Sequence, residues 1–94
     1  MMSKRLAIKF IISGRVQGVG FRWFTKQAAD EIGVLGYVRN MYDGRVETVA
    51  SGDRRELATF RKRISEGPRF SSVSHVEELE LAEPGNYSSF EITY

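Results

Sequence analysis

Leu6, Ile8, Phe10 and Ile12 fall on one side of an extended chain, and Arg5, Ala7, Lys9 and Ile11 on the other. A period of two with one apolar side predicts a strand packed on a core. After Gly14 the period changes. Phe21, Phe24 or Thr25, Ala28 and Ile32 recur at helical spacing, with Lys26, Gln27, Asp30 and Glu31 off that stripe and Gly33 as the stop. Val34 to Met41 and Arg45 to Ser51 predict two strands joined around Tyr42-Asp43-Gly44, because Asp-Gly is a strong hairpin signal. Asp53 with Glu56 three residues on predicts a capping box and a second helix. Its core side is Leu57, Phe60 and Ile64, and it ends at Gly67-Pro68. Val73 to Ala82 predicts a fourth strand. Its apolar residues, Val73, Val76, Leu79 and Leu81, alternate only in part, so a bulge or twist is expected near Glu77-Glu78. Pro84-Gly85-Asn86 predicts a turn and Phe90-Glu91-Ile92 a short last strand.

This order is βαββαβ plus a short C-terminal strand. It predicts an α+β, ferredoxin-like sandwich, an antiparallel sheet with two helices on one face. That plan hosts many functions and does not choose among them. Ninety-four residues predict one domain, 1–94, able to build its core without disulfides or metals. There are no cysteines, which excludes a thiol nucleophile and any cysteine-ligated metal and is consistent with a reducing, cytoplasmic setting. The apolar run after Lys4-Arg5 is broken by Lys9 and ends at Ser13-Gly14, so it predicts a strand rather than a signal peptide or a membrane span.

The net charge is only +2, from 14 basic and 12 acidic side chains, a weak argument for nucleic acid. Arg54, Arg55, Arg61, Lys62 and Arg63 read as a solvated helix face, since Asp53 and Glu56 share the segment.

The chemistry concentrates in Gly14-Arg15-Val16-Gln17-Gly18-Val19-Gly20-Phe21-Arg22, between the first strand and the first helix. Its glycines let the backbone approach a ligand closely, and the first N–H groups of the helix have no intrahelical partners. Those groups and the helix dipole suit an anion, and Arg22 in the first turn can fold back to take two phosphate oxygens. The loop lacks the Gly-Lys-Ser/Thr ending of a nucleotide P-loop, the third glycine of a dinucleotide fingerprint (Trp23 stands there), and the cysteine of a thiol phosphatase. No spacing suggests a metal site, and the single histidine, His75, reads as a surface or packing residue of the fourth strand. A cradle with no covalent nucleophile must use water and a substrate with an easy leaving group. Acyl phosphates fit, because a departing carboxylate has a pKa of roughly 4 and needs no general acid at neutral pH.

The same nonapeptide is similar to the signature of the acylphosphatase family. A second segment, Gly36-Tyr37-Val38-Arg39-Asn40-Met41-Tyr42-Asp43-Gly44-Arg45-Val46 followed by Ala50-Ser51-Gly52, resembles that family's other motif, and the resemblance runs from about Leu6 to Phe90-Glu91-Ile92-Thr93-Tyr94. It implies the ferredoxin-like fold and a metal-independent hydrolase without cofactors. By the same resemblance Arg22 binds the phosphoryl oxygens, Asn40 holds the attacking water, and the backbone amides of Arg15, Val16, Gln17, Gly18, Val19, Gly20 and Phe21 complete the cradle. It further implies small-molecule acyl phosphates as substrates, inorganic phosphate as product and competitive inhibitor, and a monomer that binds neither nucleic acid nor membrane. Asn40 has a plainer reading, as a strand-end residue serving the Asp43-Gly44 turn.

Two other functions compete. A single-stranded RNA-binding module shares the fold plan, and Gly18-Val19-Gly20-Phe21-Arg22-Trp23-Phe24 echoes an RRM motif. That motif belongs on the third strand, however, and Arg45 to Ser51 has no aromatic residue. The other is a carbamoyl-phosphate-binding accessory domain of a larger maturation enzyme.

Overall fold

The structure, a computed structural model, describes residues 4–94. The elements are β1 (Leu6–Arg15), α1 (Phe21–Ile32), β2 (Leu35–Asn40), β3 (Val46–Gly52), α2 (Arg54–Glu66), β4 (Ser72–Glu80) and β5 (Phe90–Ile92). They form one five-stranded sheet in the order β4-β1-β3-β2-β5. β1 runs antiparallel to both β3 and β4, and β2 antiparallel to β3. This is the ferredoxin-like α+β arrangement expected from the residue pattern. The short last strand departs from a purely antiparallel sheet: β5 pairs parallel to β2, with Val38 opposite Ile92. The parallel pairing makes the sheet mixed and brings the residues after β5 alongside the end of β2, where Thr93 donates its N–H to the Val38 carbonyl at 2.8 Å.

Alternation on β1 sets the core. Leu6, Phe10 and Ile12 are buried against Val38 of β2, Val46 and Ala50 of β3, and the inner sides of both helices. Phe60 of α2 lies between Phe10 and Phe90, with ring centroids 5.9 and 6.0 Å away. Each fully buried ring of this size contributes about 1.5–3 kcal/mol relative to exposure. In α1 the core positions are Phe21, Thr25, Ala28 and Ala29, while Phe24 and Ile32 are half-buried. Thr25 reaches the core because its hydroxyl donates to the Phe21 carbonyl at 2.8 Å and leaves no unpaired polar atom inside.

The capping box on α2 is complete: the Asp53 carboxylate accepts the Glu56 N–H at 2.8 Å and the Glu56 carboxylate accepts the Asp53 N–H at 2.9 Å. The basic residues of α2 lie along its outer side, where Arg61 pairs with Glu78 and Arg63 with Glu31 at 3.0 Å.

The strand irregularity lies elsewhere than expected. Glu77 and Glu78 pair regularly with Ile11 and Phe10, and the register shifts instead between Ser13 and Gly14, which face His75 and Val73 and leave Ser74 as the extra residue. The cause is close packing at the head of the loop. Gly14 has φ +125°, and a Cβ there would stand 2.1 Å from the Ser72 carbonyl oxygen. The bulge therefore lets β1 bend into the glycine loop with β4 still attached.

Candidate active site

The loop from Val16 to Gly20 leads into α1 through Gly20, which has φ 78° and ψ 22°, a left-handed conformation that a residue with a Cβ adopts only at a cost. No side chain caps this helix, and its first turn holds no acid. Among the described residues, no protein acceptor takes the backbone N–H groups of Gly18 to Trp23, and the first bond of the helix runs from Phe24 N–H to the Gly20 carbonyl at 3.0 Å. A row of unused donors at the positive end of a helix is an anion site in its physics.

β2 supplies the opposite wall. Alternation along it sends Val38 into the core and Tyr37 and Arg39 to the far side of the sheet, so Asn40 shares the Val38 side, beneath the start of α1. Arg22, Trp23, Asn40, Ile92 and Tyr94 line one pocket of about 210 Å³ with Val16, Gly18, Gly20 and Phe21. That volume is below the roughly 300–1,000 Å³ of clefts that hold drug-sized ligands, and it suits a small molecule. Arg22 is half-buried, its guanidinium carbon lies 4.8 Å from the centre of the Tyr94 ring, and no carboxylate among the described residues forms an ion pair with it.

Arg22 and Asn40, from separate segments, thus meet in one place. Of the loop residues expected to offer backbone groups, Val16, Gly18, Gly20 and Phe21 line the pocket directly. Arg15 is the last residue of β1, opposite Ser72, and Val19 packs against the core. Gln17 has a side-chain role that its neighbours in sequence do not signal. Its side-chain amide donates to the Met41 carbonyl at 2.8 Å and the Arg45 carbonyl at 2.9 Å, tying the glycine loop to the β2–β3 hairpin and so to Asn40. Asn40 pairs with Val46 through its backbone, but the turn closes without its side chain. Met41 N–H bonds the Arg45 carbonyl at 2.8 Å, and Asp43 accepts from both the N–H and the guanidinium of Arg45. That contact also holds the Asp43 carboxyl below its ordinary range. Among the described residues the Asn40 carboxamide makes no hydrogen bond to the turn, so the turn does not depend on that side chain.

Behind Asn40, on the far side of the sheet, Glu47 is buried and accepts from the Tyr37 hydroxyl at 2.6 Å and from Arg39 at 3.0 and 3.3 Å. Burial opposes its ionisation, but the bonds from Arg39 and Tyr37 outweigh that and leave the Glu47 carboxyl below its usual pKa. Burial first, and the Glu47 carboxylate second, push Tyr37 up to about 12. A larger hollow of about 570 Å³ adjoins this cluster, lined by Tyr37, Arg39, Tyr87 and Glu91 among others. It is wide but no helix N-terminus opens onto it, so size alone does not mark the anion site. His75 is exposed on β4 opposite Ser13, away from the pocket. Among the described residues, no three His, Asp or Glu side chains come together as a metal site would require.

The model of the family described as Acylphosphatase matches residues 8–92. The chain belongs to the acylphosphatase family. It is 48% identical over 84 residues to a protein named acylphosphatase from Koribacter versatilis, covering 89% of this chain and 76% of the relative. It is 45% identical over 89 residues to another from Archaeoglobus fulgidus, covering 95% and 99%. The crystal structure of acylphosphatase from Bacillus subtilis superposes with a TM-score of 0.92 at 38% identity, covering 95% of this chain and 99% of that one. The family match spans both segments that meet in the pocket.

Proposed function

We propose that this protein hydrolyses the carboxyl–phosphate bond of acyl phosphates, and that the pocket between the glycine loop and Asn40 is where it does so. The observation that carries the reading is the convergence of the uncapped start of α1, Arg22 and Asn40 on one small pocket. The backbone donors from the loop and the planar Arg22 fork hold the phosphoryl oxygens. Asn40, whose amide both donates and accepts, orients a water for in-line attack. The bond from water oxygen to phosphorus forms as the bond from phosphorus to the carboxylate oxygen breaks. One proton stays on the new oxygen and the other goes to a phosphoryl oxygen, giving a carboxylate and dihydrogen phosphate. Such a transition state is loose, and most of its stabilisation is positional and electrostatic.

The same reading has the chain working without a metal or cofactor, as one domain over residues 1–94 and as a monomer in the cytosol, with inorganic phosphate competing for the cradle. RNA binding has less support. On the far side of β3, Glu47, Val49 and Ser51 are buried and none is aromatic, and Tyr37 beside them is bonded to Glu47.

Hydrolysis of acetyl phosphate in excess chelator, with an alkyl phosphate monoester as control, tests the reading. The expected result is turnover of the first, undiminished by chelation, and little of the second. Activity lost to the chelator and restored by a divalent ion would overturn the metal-free mechanism, and equal turnover of the ester would overturn the leaving-group argument.

A further inference from the structure

We propose that Trp23 is a specificity-determining residue that receives the acyl group of the substrate and favours planar aromatic acyl groups over small aliphatic ones. The proposal rests on the reading that the phosphoryl group sits in the glycine-loop cradle. An acyl phosphate has two ends, and the acyl carbon is one oxygen away from phosphorus. If the loop amides and Arg22 hold the phosphoryl end, the acyl end must lie against the remaining wall of the same pocket. The residues that line it there are apolar and aromatic: Ile92, Tyr94 and Trp23.

Trp23 is 59% exposed, on a helix whose core positions are already filled by Phe21, Thr25, Ala28 and Ala29. Packing of the fold therefore gives no reason for an indole there. It follows Arg22 directly, so the two Cα atoms are about 3.8 Å apart. It also lines a second hollow of about 220 Å³ along the outer side of α1, with Lys26, Gln27, Asp30 and Glu31, so the residue borders both spaces. Across the pocket, Tyr94 is occupied on its face by the Arg22 guanidinium, which leaves Trp23 as the free aromatic surface. Lys26, the next cation along the helix, is engaged by Asp30 at 3.1 Å and the Phe90 carbonyl at 2.9 Å, so it does not call for an anionic acyl group. An aromatic acyl ring stacked on an indole at a half-open site adds modest selectivity rather than rate.

The test compares kcat and KM for benzoyl phosphate and acetyl phosphate in the wild type, Trp23→Ala and Trp23→Phe, with inorganic phosphate inhibition measured in each. The expected result is that the ratio of kcat/KM for benzoyl over acetyl phosphate falls about five- to tenfold in Trp23→Ala, mostly through KM, and is largely recovered in Trp23→Phe. An unchanged ratio in folded Trp23→Ala overturns the proposal, as does a fall in kcat for both substrates together, which marks a structural role. Failure of the wild type to turn over either substrate would instead overturn the reading on which the proposal rests.

Discussion

The two helices of this protein begin in opposite ways. α2 closes its own N-terminus with a reciprocal Asp53–Glu56 box, whereas α1 starts from a left-handed glycine with no side-chain cap, no acid in its first turn, and Arg22 as its second residue. A cation near the positive end of a helix is unfavourable by about 0.3–1 kcal/mol, so α1 is less stable at this end than its neighbour. The difference shows what each end is for. At α2 orphan donors are taken up within the chain, the N–H groups of Asp53 and Glu56 by the box. At α1 they are left for a ligand, and an anion between the free N–H groups and Arg22 would supply the missing acceptor and the missing negative charge together.

The largest effect expected from breaking this contrast comes from the residue opposite the open end. Asn40→Ala should lower kcat by about 10²–10³-fold while phosphate affinity and melting temperature stay close to wild type, because the carboxamide takes no part in the hairpin. Steady-state kinetics, phosphate inhibition and melting on one sample check this, and normal kcat in a folded variant would return Asn40 to a structural role. At the closed end the forecast is reversed. Asp53→Ala should cost about 1 kcal/mol, lowering the melting temperature by roughly 4–8 °C, with kcat unaffected. A rate defect there would mean that the two ends are not separate.

The smallest effect is on the far side of the sheet. Tyr37 is raised to about 12, so it keeps its proton in the folded chain at pH values where the unfolded chain has lost it. Its contribution to stability is complete below about pH 10 and is lost as pH rises through about 12. Tyr37→Phe should therefore show a shallower fall in melting temperature over that interval than the wild type. Parallel alkaline melting curves would show that the Tyr37–Glu47 bond carries no such linkage.

The residue pattern foretold much of this molecule, and its failures have a physical pattern of their own. Local signals were reliable: alternation on β1, the helical stripe of α1 and the Asp53–Glu56 box each depend on neighbours in sequence. The placement of Arg22 at the pocket was legible because the glycine loop precedes it. The place of Asn40 followed from family resemblance, since an Asn at the end of a strand is also ordinary turn chemistry. Three features were not legible because they depend on contacts between distant segments. The parallel docking of β5 brings Ile92 and Tyr94 to the pocket. The double hydrogen bond of Gln17 requires the hairpin to lie under the loop. The apolar alternation of β4 falters near Glu77, but backbone crowding at Gly14 places the bulge at Ser74.

The most direct test of the open α1 terminus is calorimetric titration of inorganic phosphate at pH 7 into the wild type and Arg22→Lys. A lysine keeps the charge and loses the planar fork, so the account predicts saturable one-site binding by the wild type and affinity weakened by about tenfold or more in the variant. No phosphate binding by the wild type, or equal affinity in the two proteins, would contradict it.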